Sequence, residues 1–184
     1  LYDSRIVSMY VPNQTGLTAT FSYTPPYTIT YKDQGGATFS GTHTNPAQYI
    51  FGTALTLKDA TKKGYTFGGW FTDSACTGSA ITTIEAGQMG DITLYAKWTA
   101  NSYTITANAN GGTIATTTGW TGSGESVTKT LTFGSAFGTL PTCNISETGL
   151  TFDGWYTEAT GGTEILSTTK METDSNITIY AQYK

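Results

Sequence analysis

Ile92-Thr-Leu-Tyr-Ala-Lys-Trp98 alternates apolar and polar residues with period two, and the chain repeats the pattern as Ile177-Thr-Ile-Tyr-Ala-Gln-Tyr183. Successive side chains of a strand point to opposite faces. Ile92, Leu94, Ala96 and Trp98 therefore share one face and Thr93, Tyr95 and Lys97 the other, as in a sheet with one buried and one wet face. A related stretch, Leu17-Thr-Ala-Thr-Phe-Ser-Tyr23, precedes both.

Two further landmarks travel with this strand. Thr66-Phe-Gly-Gly-Trp-Phe71 returns as Thr151-Phe-Asp-Gly-Trp-Tyr156, at the interval that also separates Trp98 from Tyr183. Tyr27-Thr-Ile-Thr-Tyr31 with Gly35-Gly36 returns as Tyr103-Thr-Ile-Thr-Ala107 with Gly111-Gly112, at a shorter interval. The same landmarks in the same order make a tandem array. Its repeats are expected at 27–99 and 100–184, joined by the short linkers Thr24-Pro25-Pro26 and Thr99-Ala-Asn-Ser102, with 1–26 as the C-terminal part of a preceding repeat or other domain. The interval grows by about nine residues inside the second copy, before its Phe-x-Gly-Trp strand, and insertions of that kind belong in loops. Each repeat reads as a first strand, a Gly-Gly turn or bulge, a second strand near 47–51 or 127–133, a crossover, the Phe-x-Gly-Trp strand and the closing strand. The crossovers, 53–63 and 135–148, are read as irregular or briefly helical; Leu55, Leu57 and Ala60 fit helical spacing loosely, and Pro141 opposes a long helix. The fold class is mostly β, α+β at most.

Composition narrows the function. Charged residues are 12% of 184, against about 25% in an average soluble domain, while Thr numbers about 40. The net charge is only −4 and Arg5 is the single arginine, which argues against nucleic acid or other polyanions as partners. No run approaches the ~20 apolar residues of a membrane-spanning helix. The chain opens on Leu1 and reads as an excised fragment whose targeting segments lie outside it. Cys76 and Cys143 match no metal-ligand spacing and no disulfide framework; lying in different repeats, they are expected to be free thiols.

Gly64-Tyr-Thr-Phe-Gly-Gly-Trp-Phe71 followed by Asp91-Ile-Thr-Leu-Tyr-Ala-Lys-Trp98 resembles the signature of the Listeria-Bacteroides repeat family, which includes the B-repeat of internalin B. The resemblance covers roughly 27–184 and implies tandem small β-grasp (ubiquitin-like) modules with little helix, in extracellular, multi-repeat bacterial surface proteins often active in adhesion. The second copy departs from it with Leu150 in place of Tyr65, Tyr183 in place of Trp98, and the longer insertion. The family is defined by residues of its fold, so membership transfers no ligand site.

Little in the chain carries chemistry. His43, the single histidine, lies in a loop of one copy, without a neighbouring motif that supplies a nucleophile and an orienting acid, and is expected to be solvent-exposed. Asn108-Ala-Asn-Gly-Gly112 lacks the bidentate Glu of a calcium loop and reads as a turn. Trp70 and Trp155, equivalent in the two copies, are expected in the cores; two residues of one strand three apart face oppositely, so Phe67 and Trp70 share the core only if a bulge intervenes. Trp98, ending an inward series, is also read as core. Trp120 differs: it has no counterpart in the first copy and sits in a Gly-Ser loop, so it is expected to be exposed and able to contact a ligand. With Tyr95 and Tyr180 on the polar strand faces it forms the candidate ligand-binding set. No catalytic residue, metal or cofactor is expected. The leading reading is a non-catalytic extracellular surface module that spaces and presents other domains, touches neighbouring repeats, and could adhere to a host or matrix protein or glycan. The rival is a dedicated carbohydrate-binding module using exposed aromatics.

Overall fold

The structure, a computed structural model, describes residues 25–184 in full and, for residues 5–8 and 20–23, the backbone pairing alone. Strands β1 (Arg5–Ser8) and β2 (Thr20–Tyr23) pair antiparallel. The rest of the expected strand from Leu17 lies outside the described residues. The chain divides into two compact units, one reaching to Lys62 and resuming over Phe67–Trp98, the other holding Lys63–Thr66 and Thr99–Lys184.

In the first module the strands are β3 (Tyr27–Asp33), β4 (Gln48–Tyr49), β5 (Leu55–Thr56), β6 (Tyr65–Phe71), β7 (Thr83–Ile84) and β8 (Ile92–Ala100). The main sheet runs β4-β3-β8-β6, and β5 pairs with β7 beside it. Its centre is a parallel pair, Ile29 opposite Ile92 through Asp33 opposite Ala96. The second module has β9 (Ser102–Asn108), β10 (Thr113–Ile114), β11 (Ser126–Thr132), β12 (Cys143–Asn144), β13 (Phe152–Tyr156), β14 (Glu164–Ile165) and β15 (Ile177–Tyr183). Its sheet runs β11-β9-β15-β13-β14, again with the first and last strands parallel at the centre, Ile105 opposite Ile177. Numbered within the sheet, that order is second, first, fifth, third, fourth, the β-grasp arrangement.

Parallel neighbours cannot be joined by a tight hairpin and need a crossover. Here the crossovers are extended; among the described residues the helical content is the 3₁₀ turn Gln34–Gly36. The brief helix allowed at 53–63 is absent for a local reason. The Asn45 side chain accepts from Lys58 N (2.6 Å) and donates to Lys58 O (2.8 Å), and the Trp70 indole donates to the same carbonyl (2.9 Å). Backbone groups that a helix would use internally are already engaged. Leu57 and Ala60 are buried from an extended chain.

Each module has its own core. In the first, Ile29, Tyr49, Leu57, Ala60, Trp70, Ile84, Leu94 and Ala96 pack together. Leu94 and Ala96 are wholly buried while Thr93, Tyr95 and Lys97 are half-buried on the other face, so the alternation reads as expected. Ile179 and Ala181 repeat this in the second core. Trp98 is half-buried at the core's margin. The bulge needed to place both aromatics of Phe-x-Gly-Trp inward is present: in β13 the register slips between Phe152 and Gly154, leaving Asp153 unpaired in the ladder. Phe152 and Trp155 then meet edge to face at 5.7 Å, as Phe67 and Trp70 do at 5.2 Å.

The edge strands differ because the linkers differ. Continuing the β3–β4 register past Tyr27 and Tyr49 would set Ile50 against Pro26, which has no N–H to donate. β4 stops after two residues and Ile50 is left 53% exposed. In the second module Ser102 occupies the corresponding place, and β11 runs seven residues to Thr132.

Candidate functional site

The three aromatics singled out for ligand contact do not come together. Trp120 is only 6% exposed and belongs to the second core, which corrects the expectation of an exposed loop residue. Its sequence neighbours are polar, but Thr121 exchanges two backbone hydrogen bonds with Thr128 of β11 (2.8 and 2.9 Å), sewing the insertion to the sheet edge. The indole then lies over the core, donates to Thr139 O (2.9 Å) and sits beneath Lys129 Nζ, 5.7 Å from the ring centre. Tyr95 and Tyr180 are half-buried at equivalent positions of β8 and β15, one in each module. Tyr180 lies on the sheet face opposite to Trp120, beside Tyr156.

The polar faces carry instead a recurring clasp that the sequence reading missed. In the first module the loop after β6 folds back over the sheet and buries Phe71 and Cys76 apart from the main core. Gln34 Nε2 donates to Ala75 O (2.8 Å), Gly35 N to Ser74 O (2.6 Å) and Lys97 Nζ to Cys76 O (3.2 Å), the last also lying over the Phe71 ring. In the second module Asn110 Nδ2 donates to Ala159 O (2.9 Å), and Gln182 Nε2 to Glu158 O (2.9 Å) and Gly161 O (2.6 Å). Asn110 and Gln182 stand at the repeat intervals from Gln34 and Lys97, and Gly161 at that from Cys76; both turn with positive φ, 70° and 52°. The available signal was a polar side chain at the same place in each copy.

Within the clasp, Asp73 accepts from the backbone N–H of Thr77 (3.1 Å) and Gly78 (3.3 Å), and these donors hold its carboxyl below the ordinary range. Burial, helped by Asp73, pushes the Cys76 thiol up. A thiol held protonated is a poor nucleophile. Both cysteines are free and buried. Cys143 lies 2.9 Å from Tyr183 Oη, which donates to Ala109 O (2.6 Å), and burial pushes the Tyr183 phenol well up. Gly112 closes this corner: a Cβ there would fall 2.0 Å from the Tyr183 hydroxyl and 2.6 Å from Asn144 O, so no larger residue fits. The Asn108–Gly112 segment is a turn, with Asn110 N donating to Asn108 Oδ1 (2.7 Å).

His43 is half-buried rather than exposed, which corrects the second loop expectation. Its ring lies 4.1 Å from Tyr31, 5.0 Å from Phe39 and 5.5 Å from Trp70, and Nδ1 accepts from Asn45 N (3.2 Å). Loop polarity misled here because Asn45 pins the loop to Lys58 and draws the imidazole over the aromatics. Tyr31 donates to Pro46 O (2.8 Å), and burial raises its phenol to about 12. Desolvation holds His43 below the ordinary histidine range. The unfolded chain then takes up a proton near pH 6.5 while the folded module takes it up only at lower pH, so stability is lost as pH falls through that window. The denaturant midpoint of the first module is expected to drop from pH 7.5 to 5.5, where ordinary carboxylates stay ionised. His43→Gln should abolish the drop, and an unchanged midpoint in the unsubstituted chain would refute the neutral, desolvated imidazole.

Among the described residues no three His, Cys, Asp or Glu side chains group as a metal site. A recess of about 220 Å³ beside β4 is lined by Gln48, Tyr49, Ile50, Thr53, Ala54 and Leu55, below the ~300–1,000 Å³ of usual small-molecule pockets. No helix among the described residues is long and apolar enough to cross a membrane.

Comparison with known proteins matches the Listeria-Bacteroides repeat domain twice, at residues 27–97 and 103–182. Internalin H of Listeria monocytogenes is 32% identical across 93% of this chain and 32% of its own length. A protein of Evansella cellulosilytica described as a putative Gly-rich membrane protein is 26% identical across 86% of this chain and 16% of its own. The chain thus spans a third or less of these relatives.

Proposed function

The chain belongs to the Listeria-Bacteroides repeat family, and from that premise we propose that it is a non-catalytic stretch of an extracellular bacterial surface protein, whose modules space and present other domains. The carrying observation is that the side chains recurring between the copies are used inside their own modules. Trp70 and Trp155 fill cores and bond to crossover carbonyls, and Gln34, Asn110, Lys97 and Gln182 hold the clasps. What repeats is the scaffold. The similarity to internalin H and to a Gly-rich membrane protein supports the surface setting. Residues 27–99 and 100–184 are the repeats under this reading, and 1–26 close a preceding repeat or other domain. Adhesion to a host or matrix protein or glycan is a further property of such an array. A carbohydrate platform built on Trp120, Tyr95 and Tyr180 loses support with the burial of Trp120.

A reporter domain displayed at a cell surface on zero, one or two of these modules tests the proposal. Accessibility of the reporter to a bulky antibody is expected to rise with module number. Equal accessibility in all three cases would overturn the spacer reading; equal accessibility together with saturable binding of one glycan class that Tyr95→Ala or Tyr180→Ala removes would put a dedicated carbohydrate-binding module in its place.

A further inference from the structure

In both modules the first strand and the last strand lie side by side and parallel, β3 with β8 and β9 with β15. The chain therefore enters a module at one end of the central pair and leaves it at the other. We propose that each module is a force-bearing clamp, in which tension along the chain is held by the parallel ladder between its first and last strands; this rests on the spacer reading. Tension between the entry and exit points pulls the two strands along their length in opposite directions. The ladder's evenly spaced hydrogen bonds are then loaded together, in shear. An antiparallel pair pulled from its open end surrenders its bonds one at a time.

Two further features reinforce the ladder. A slip of one residue turns every side chain to the other face, so sliding β8 against β3 would drive the wholly buried Leu94 and Ala96 outward; Ile179 and Ala181 of β15 impose the same barrier in the second module. The loaded end also carries a side-chain clip in both copies. Asp91 Oδ1 accepts from Thr28 N (2.7 Å), and Asn176 Oδ1 from Thr104 N (2.8 Å). Each clip joins the residue just before the closing strand to the start of the first strand, adding a rung where tension enters. The carboxylate clip is the stronger kind. The edge strands β4 and β11 lie off this load path.

Single-molecule pulling of the whole chain by its ends is expected to give two unfolding steps, releasing up to about 255 and 300 Å at roughly 3.5 Å per residue. The decisive comparison changes only the direction of pull. Ser102 and Thr132 are exposed partners at the end of the antiparallel β9–β11 ladder. Handles on a Ser102→Cys, Thr132→Cys chain peel that ladder open, the buried native thiols being shielded from attachment. The first rupture in that geometry is expected at clearly lower force than the end-to-end unfolding of the second module. An equal or higher rupture force, or end-to-end extension without discrete steps, overturns the clamp. Either result leaves the reporter-access experiment unaffected, since a weak module can still act as a spacer.

Discussion

Leu94→Asp is expected to abolish the cooperative unfolding of the first module. Leu94 is 0% exposed, sits opposite Tyr31 in the parallel ladder, and packs with Ile29, Trp70 and Ala96. A carboxylate there would be desolvated without a cationic partner, at a cost of several kcal/mol, against the ~5–15 kcal/mol that usually separates folded from unfolded domains. Thr93, one residue away on the opposite face, is half-buried and polar, so Thr93→Asp should shift stability by no more than about 0.5 kcal/mol. Circular dichroism melts of the two variants make the comparison. An unchanged melting temperature for Leu94→Asp would place that face in solvent and refute the strand assignment.

Trp155→Ala should cost the second module about 3–5 kcal/mol. Its indole is buried, meets Phe152 edge to face, and donates to Pro141 O at 2.7 Å, so truncation leaves a cavity and strips the crossover carbonyl of its donor. Trp155→Phe keeps most of the volume and loses the hydrogen bond, and should cost clearly less. Denaturant titration of both variants measures the difference. If the two cost the same, the hydrogen bond rather than packing would dominate, and the account of the core would need revision.

The fold was legible where one face of a strand is buried throughout. Ile92, Leu94 and Ala96 announce their sheet by alternation alone, and the copy at Ile177 repeats the period. The twin Phe-x-Gly-Trp segments were harder, because Phe67 and Trp70 violate that alternation and a bulge has to be invoked before both can face inward. The candidate site failed for a different reason. Trp120 and His43 sit among Gly, Ser, Thr and Asn, and local polarity predicts exposure. Their withdrawal from solvent is decided by backbone and amide pairings beyond their immediate neighbours, Thr121 with Thr128 and Asn45 with Lys58, which local polarity does not register. The clasp amides escaped notice because Gln34, Asn110 and Gln182 are unremarkable polar residues until the turn they hold is seen to have the same backbone conformation in both modules.

The two buried thiols give the protein a pair of built-in clocks. Cys76 lies under the clasp of the first module and Cys143 in the core of the second, and neither is bridged. A thiol-reactive dye can reach Cys76 only while the clasp is lifted and Cys143 only while the second core is open. Because the cysteines fall in different peptides after digestion, one labelling time course, read by mass, follows the opening of the first module's clasp and of the second module's core separately in the unmodified chain.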